Sequence, residues 1–172
     1  MDEFDGIFSR ATAAISAEYF LPLRVEAPAV YRERTYCYEL YFQMRRQWPG
    51  DSRYRLCGEV DKHGHPYVGR LGGAFNPDFI VHVPGIEDNY AVIEVKTVDN
   101  LGDVSDDIRK LRAFIDHCQY RRAIHLVFGA SAQATLNALG QDKIDPHIEY
   151  WGHETPGTAA VRAPQASIVK RT

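Results

Sequence analysis

Residues 77–98 read PDFIVHVPGIEDNYAVIEVKTV, two β-type runs joined by a turn. The first run, residues 78–83, is rich in β-branched and aromatic side chains, which predicts a strand. The second run, residues 90–98, is at first apolar on both faces, which indicates a strand buried at the centre of a sheet. Pro84 and Gly85 mark the turn. Because the connection is short, we expect an antiparallel pair, in which the start of one strand lies beside the end of the other.

Three charged side chains meet in this predicted pair. Asp78 begins the first strand, whereas Glu94 and Lys96 lie two residues apart near the end of the second and share a face. Two carboxylates are the kind of oxygen ligand that Mg²⁺ prefers, and a bound metal polarises a phosphodiester and lowers the pKa of a water molecule. The lysine can orient that water or offset charge that develops on the phosphate. The structural alternative is a cross-strand salt bridge at the end of a sheet.

The apolar spacing in the rest of the chain predicts helices and strands around this pair. The predicted helices cover residues 7–20, 31–48, 105–118 and 131–140, and the predicted strands cover residues 54–61, 78–83, 90–98, 123–128 and 147–151. Ser105 is the expected N-cap of its helix, whose inward-facing residues are Ile108, Leu111, Ile115 and Cys118. The first three strands can form a meander, and the helical crossover that follows suggests a parallel pair. The fold class is therefore α/β, with a mixed sheet flanked by helices.

Length and composition exclude several classes of protein. The chain has 172 residues, 45% of them hydrophobic and 25% charged, which is typical of one folded domain and not of a disordered or disulfide-framed chain. No apolar run approaches the roughly 20 residues of a membrane helix, and the acidic start does not have the form of a secretory signal. The three cysteines are an odd number and far apart, as expected of reduced thiols in a cytoplasmic protein.

Pro77-Asp78, together with Glu94-Val95-Lys96, resembles the motif of the PD-(D/E)XK nuclease superfamily, whose fold is the restriction-endonuclease-like fold. The order of elements over residues 31–130, helix-strand-strand-strand-helix-strand, also matches the core of that family, to which this chain adds a further helix and strand. The resemblance implies metal-dependent cleavage of phosphodiester bonds, with Asp78 and Glu94 as ligands of Mg²⁺, for which Mn²⁺ can substitute. It implies that Lys96 is the catalytic lysine. Many relatives add a glutamate from the first core helix, for which Glu39 is the candidate, with a solvated or capping role as its alternative.

The resemblance divides the chain into three segments. Residues 1–30 form an N-terminal helical extension, residues 31–154 the nuclease-like domain, and residues 155–172 a flexible or partner-docking tail. A nuclease of this family is expected to act on nucleic acid, most simply DNA, as a homodimer or as a subunit of a larger complex. Small freestanding members often serve in bacterial defence or restriction. The alternative is a non-catalytic subunit of nuclease fold that binds a protein or nucleic acid.

The charge distribution bears on nucleic-acid binding. The net charge is −3, so affinity for a polyanion has to come from local patches. Two basic groups flank the acidic stretch that contains the motif, and the candidate phosphate contacts in them are Arg45, Arg46, Arg109 and Arg112. The alternative is that these arginines are solvated helix faces. Tyrosines near residues 31–41 are candidates for base stacking, although core packing is favoured for them.

Other polar groups have simpler explanations. Glu59 and Asp61 are candidates for further metal ligands, but an exposed hairpin end is favoured for them. The set Asp61, His63 and His65 resembles a zinc set in composition but has no fourth ligand at a useful spacing, and a turn accounts for it. His82 and His125 lie in apolar strands, where a structural role is favoured.

Overall fold

The computed structural model describes residues 3–59 and 76–164, apart from the side chain of Asp103. The helices are α1 (Glu3–Ala13), α2 (Ala17–Phe20), α3 (Glu33–Gln47), α4 (Val104–Cys118) and α5 (Ala132–Leu139). The strands are β1 (Arg55–Gly58), β2 (Phe79–Val83), β3 (Asp88–Thr97), β4 (Arg122–Phe128), β5 (Glu149–His153) and β6 (Val161–Arg162). Short 3-10 helices cover Val98–Asp103 and Gln141–Lys143.

The six strands in the described parts of the chain form one mixed sheet in chain order. Strand β2 pairs antiparallel with both β1 and β3, and β4 and β5 continue the sheet parallel to β3. Strand β6 pairs antiparallel with β5. The connection between β2 and β3 is short, as predicted, but it covers only residues 84–87, because β3 starts at Asp88 and not at the predicted Tyr90. The α4 crossover returns the chain to the end of the sheet at which β3 starts, so β4 runs parallel to β3. The predicted α/β class with a mixed sheet is confirmed.

Helices cover both faces of the sheet. Along β3, Ile93 and Val95 face a core shared with α1, α2 and α3, whereas Val92 faces a second core shared with α4 and α5. This alternation follows from the two-residue repeat of a strand. All residues from Ala91 to Val95 are buried, as predicted for a central strand.

Helix α3 is fixed on the first face by aromatic contacts. The ring of Tyr36 stacks on Phe128 of β4 at 4.0 Å between centroids, and its hydroxyl lies 2.7 Å from Nδ1 of His153 on β5. Phe8 of α1 meets Trp151 edge-on at 5.2 Å. Residues 3–20, in the predicted N-terminal extension, thus contribute to the same core as the sheet.

The helix predicted over residues 105–118 differs from the structure in its start and in its inward face. The chain forms a 3-10 turn over Val98–Asp103 and enters α4 at Val104, so Ser105 lies inside the helix and is not its N-cap. The buried residues of α4 are Val104, Asp107, Leu111, Phe114 and Cys118. Ile108 and Ile115 are half-buried, because the helix is rotated relative to the expected stripe. This rotation turns Asp107 inward.

Part of the predicted C-terminal tail belongs to the fold. Val161 and Arg162 pair with β5, and Ala160 and Ala163 are buried. The backbone N–H of Ala160 donates to the hydroxyl of Thr12 in α1 at 2.8 Å. Residues 165–172 lie outside the described residues.

Gly152 marks a close approach between β5 and α5. A Cβ atom at this position would lie 2.1 Å from the backbone nitrogen of Ala132. Ser131 caps α5 by accepting a hydrogen bond from the Ala134 N–H, and Gly140 ends the helix with a φ of 75°, as its sequence position predicts. Within the described residues, no helix is long and apolar enough to cross a membrane.

Candidate active site at the end of strand β3

The hairpin brings Asp78 beside Glu94. Phe79 pairs with Ile93 in antiparallel register. Asp78, which precedes Phe79, and Glu94, which follows Ile93, are therefore neighbours. Oδ2 of Asp78 accepts a hydrogen bond of 2.7 Å from the backbone N–H of Val95. The side chains of Asp78, Glu94 and Lys96 all belong to the sheet face that α4 covers, since Val92 on the same strand packs there. The predicted juxtaposition of these three residues is therefore present.

Helix α4 adds two residues that the motif does not contain. Nζ of Lys110 lies 3.5 Å from Oε2 of Glu94 and 3.3 Å from Oδ1 of Asp107. The other oxygen of Asp107, Oδ2, lies 3.4 Å from Nζ of Lys96. Asp107 therefore stands between two ammonium groups and is itself only 2% exposed. The sequence contained one signal for this arrangement, an acid and a lysine three residues apart at the start of a helix.

The glutamate of α3 that lies at the cluster is Glu33, whereas the candidate Glu39 lies away from it. Oε2 of Glu33, at the first residue of α3, lies 3.7 Å from Nζ of Lys96. The carboxylate of Glu39 instead accepts a hydrogen bond of 2.6 Å from Gln43, one turn further along the same helix. The structure does not bring Glu39 to the cluster because six residues of helix rotate its side chain to a different face.

The cluster is more acidic than basic. Its carboxylates are Asp78, Glu94, Asp107 and Glu33, and its ammonium groups are Lys96 and Lys110. When all are ionised, four negative and two positive charges leave a net charge of −2. One bound divalent cation would neutralise this charge.

Burial, together with a neighbouring carboxylate in each case, raises the pKa of both motif carboxyls. Removal from water raises the pKa of Asp78 to about 6, although the hydrogen bond from Val95 opposes the shift. Removal from water also raises the pKa of Glu94 to about 8, with Asp78 as the next contribution in the same direction. Oε1 of Glu94 is buried and has no hydrogen-bond partner among the described residues. A buried oxygen of this kind is costly unless a ligand pairs with it.

The two lysines keep their charge. Burial by itself lowers the pKa of Lys96, but the nearby carboxylates of Asp107 and Glu33 outweigh it and the pKa is raised. The same balance holds for Lys110, where Glu94 and Asp107 raise the pKa more than burial lowers it. Both side chains are thus ammonium groups near neutral pH, able to donate hydrogen bonds and to offset negative charge.

His125 lies next to Glu94 in the sheet. The two residues are register partners on the parallel strands β3 and β4. Burial, followed by the charge of Lys96, lowers the pKa of His125 to about 3, so the ring is neutral. Its edge packs against Tyr150 at 5.9 Å, and neither ring nitrogen has a hydrogen-bond partner among the described residues. The predicted burial of His125 is confirmed, whereas its position beside Glu94 depends on a parallel register that the sequence does not specify.

The two motif carboxylates fit a hard divalent cation. Mg²⁺ is usually held by one or two carboxylates, water molecules and substrate phosphates, so Asp78 and Glu94 suffice in number. The unpartnered Oε1 of Glu94 and the net negative charge of the cluster agree with such a ligand. Across residues 3–59 and 76–164, no group of three or more His, Cys, Asp or Glu side chains is arranged as a ligand set. Asp61, His63 and His65, for which the sequence favours a turn over a zinc site, lie outside the described residues.

The four candidate phosphate-binding arginines fall into two classes. Arg109 and Arg112 on α4 are paired with acids, the first with Asp106 at 3.3 Å and the second with Asp116 at 2.8 Å. Arg45 and Arg46 at the end of α3 are exposed, and no ion pair within the described parts of the chain involves them. Of the predicted set, these two are the arginines available to a polyanion without breaking an ion pair.

Comparison with known proteins does not identify a relative. Neither a protein-family model, nor a curated protein, nor a solved structure matches this chain.

Proposed function

We propose that this protein is a metal-dependent nuclease of the PD-(D/E)XK type, which hydrolyses phosphodiester bonds, most simply in DNA. The observation that carries the proposal is the pair Asp78 and Glu94, held side by side at the end of a buried strand, with an excess of negative charge and two lysines around it. The element order α3, β1, β2, β3, α4, β4 supports the restriction-endonuclease-like core.

Asp78 and Glu94 would hold the cation, Mg²⁺ or Mn²⁺. A bound divalent cation supplies a Lewis acid for the phosphoryl oxygen and lowers the pKa of a bound water. The backbone N–H of Val95 orients the Asp78 carboxylate by donating to Oδ2 at 2.7 Å. This contact leaves the second oxygen of Asp78 available to a ligand.

Lys96 is the residue that acts on substrate in this proposal. As an ammonium group, it donates hydrogen bonds to a water molecule or to a phosphate oxygen and offsets the negative charge that grows there. Asp107 and Glu33 hold its Nζ atom from two sides, at 3.4 and 3.7 Å. Both acids are positioning residues, since they act through the lysine.

The test combines metal binding with cleavage. Mg²⁺ and Mn²⁺ are titrated by calorimetry into the wild type and into an Asp78→Asn/Glu94→Gln variant, and plasmid and linear DNA are then added. We expect metal binding in the wild type, its loss in the variant, and cleavage that follows metal binding. Lys96→Met is expected to bind metal and to cleave at least about 100-fold more slowly, in the range of a lost charge-stabilising group.

The matched control for Lys96→Met is Lys143→Met, a lysine in the 3-10 helix Gln141–Lys143, which lies outside the cluster. It is expected to cleave like the wild type. If the wild type binds no metal even with DNA present, or if Lys96→Met cleaves as fast as the wild type, the proposal is wrong.

A second candidate is a non-catalytic subunit that binds nucleic acid or a protein within a larger complex. The observation in its favour is that Lys96 and Lys110 each contact two carboxylates, which makes the cluster a connected ion-pair network. Sedimentation of the purified protein, alone and with DNA, separates the candidates when it is combined with the cleavage assay above. A chain that binds DNA or a partner and never cleaves favours this alternative. A homodimer is compatible with either function.

A further inference from the structure

The outer face of α3 exposes aromatic rings. Tyr38 and Phe42 lie one helical turn apart and are 59% and 52% exposed. The guanidinium of Arg46 lies over the Phe42 ring, 5.5 Å from its centroid. By contrast, Tyr36 on the opposite side of the helix is fully buried. Neither ring is buried in the core, so the favoured expectation of core packing is wrong for Tyr38, whereas it is confirmed for Tyr36.

Arginines extend the same face in both directions. Arg34 precedes Tyr38 by one turn, and Arg45 and Arg46 follow Phe42 by about one turn. Arg34 is 77% exposed and pairs with Glu59 at 3.7 Å. We call these residues the aromatic–arginine stripe: Arg34, Tyr38, Phe42, Arg45 and Arg46.

A cavity beside the stripe extends from Tyr38 to Asp78. It has a volume of about 230 Å³, lies between α3 and the β1–β2 edge, and is lined in part by Tyr38, Tyr41 and Asp78. The ring of Tyr41 is nearly parallel to that of Phe79, at 11° and 6.3 Å, so the two form an apolar wall. The volume is below the roughly 300–1,000 Å³ of pockets that enclose a complete small molecule. One base or one nucleotide unit of a longer strand suits it better.

We infer that the aromatic–arginine stripe binds a single-stranded nucleic acid, with unpaired bases stacked on Tyr38 and Phe42 and phosphates on the arginines. The cavity then leads the strand to Asp78. This inference rests on the proposed nuclease function and specifies its substrate as a strand with unpaired bases. Proteins that bind single strands combine aromatic stacking surfaces with a basic track, and both are present here on one helix face.

The chemistry distinguishes a single strand from a duplex. In a duplex the faces of the bases are covered by their neighbours, so exposed rings have nothing to stack on. The arginines alone would bind either form through its phosphates. A preference for the single strand that depends on the two rings is therefore the property specific to this inference.

The test measures binding without metal, so that cleavage does not interfere. Fluorescence anisotropy with a labelled oligothymidylate and with a duplex of the same length, both in EDTA, compares the wild type with Tyr38→Leu/Phe42→Leu. The leucines keep apolar side chains on the helix but remove the rings. We expect single-strand affinity to fall by at least about tenfold in the variant, since stacking contributes strongly per base. Duplex affinity is expected to stay within about twofold.

Tyr19→Leu is the matched control, because Tyr19 is also exposed, at 40%, and lies in α2 outside the stripe. It is expected to bind like the wild type. Arg45→Ala/Arg46→Ala should weaken the binding of both the single strand and the duplex. It should also lower the slope of log Kd against log salt concentration by about one to two. Circular dichroism of each variant checks that the fold is retained.

Three results would overturn the inference. The first is equal affinity of the wild type and the leucine variant for the oligothymidylate, and the second is a wild type that binds no nucleic acid. The third is a wild-type dimer, seen by sedimentation, that the leucine variant dissociates without any change in oligothymidylate binding, which would make the stripe an interface between copies. A protein that binds through the stripe but never cleaves with Mg²⁺ or Mn²⁺ refutes the nuclease proposal alone. If the protein cleaves DNA but its preference for single strands is unchanged in Tyr38→Leu/Phe42→Leu, only the inference about the stripe is wrong.

Discussion

Lys110 of α4 contacts Glu94 of β3 across the gap between helix and sheet, with Nζ 3.5 Å from Oε2. The contact places a positive charge beside Glu94, which is a metal ligand in the proposed function. The lysine and a cation would therefore compete for the same oxygen. Lys110 therefore offsets negative charge in the metal-free cluster and is expected to move away from Glu94 when a cation binds.

Lys110→Met is expected to bind Mg²⁺ or Mn²⁺ more tightly than the wild type, by roughly three- to tenfold, because the competing charge is gone. The same change leaves the metal-free cluster with an additional unbalanced negative charge, so stability in EDTA is expected to fall. Calorimetric titration and urea unfolding measure the two effects. Arg109→Met is the control, since Arg109 is exposed and pairs with Asp106. Weaker metal binding in Lys110→Met would contradict the competition.

Substitutions of Glu33 and Glu39 are expected to have different effects on cleavage, although both residues lie on α3. Glu33→Gln removes a carboxylate from Nζ of Lys96, and cleavage is expected to fall by about tenfold or more. Glu39→Gln changes a residue that contacts Gln43, and cleavage is expected to stay within about twofold of the wild type. The comparison of single-turnover rates for the two variants checks the assignment. The reverse order of effects would restore Glu39 as the helix ligand.

Stability without metal is expected to depend on pH through Asp78 and Glu94. Their pKa values rise from 3.8 to about 6 and from 4.5 to about 8 on folding, so the unfolded chain releases these protons first as the pH increases. The contribution to the free energy of unfolding is fully present below about pH 4 and is lost as the pH rises to about 8. Urea unfolding in EDTA across this range is the measurement.

The difference between the wild type and Asp78→Asn/Glu94→Gln isolates this effect. His125 and His153 act in the opposite sense, because burial lowers their pKa values to about 3 and about 4 and their protonation disfavours the folded state. These histidines are present in both proteins and cancel in the difference. The wild type should lose stability relative to the variant by a few kcal/mol between about pH 4 and 8. A difference that does not change with pH would show that the carboxyls titrate normally.

Arg122 joins three elements at the other end of the sheet. Its guanidinium contacts Asp5 of α1 at 2.6 Å and Glu149 of β5 at 2.7 Å, and it lies over the ring of Phe4 at 5.0 Å. Arg122→Met leaves the buried carboxylate of Glu149 and the half-buried carboxylate of Asp5 without their shared cation. Removing one partner of such a pair typically costs about 3–5 kcal/mol, and partial exposure places the expected loss near the lower end.

Urea unfolding compares Arg122→Met with Arg121→Met, its neighbour in sequence. Arg121 is 58% exposed and pairs with Asp88 at 2.8 Å, so its replacement is expected to cost less than about 1 kcal/mol. Equal losses in the two variants would mean that Arg122 does not hold α1 to the sheet.

Local sequence sufficed for the hairpin and for the central part of the site. A short turn between two apolar runs dictates antiparallel pairing, and strand alternation dictates that Glu94 and Lys96 share a face, so Asp78 could be placed beside them without a structure. Periodicity also located α3, found at Glu33–Gln47, and Gly140 marked the end of α5. These features depend on residues that are near one another along the chain.

The tertiary structure decided which side chains from other elements complete the site. A helix rotates by about 100° per residue, so a small change in the orientation of α3 or α4 exchanges one inward residue for another. That rotation selected Glu33 in place of Glu39 and turned Asp107 and Lys110 toward the strand. His125 reached Glu94 through the parallel register of β3 and β4. Packing of whole helices against the sheet sets these relationships, and sequence spacing within any one element does not contain them.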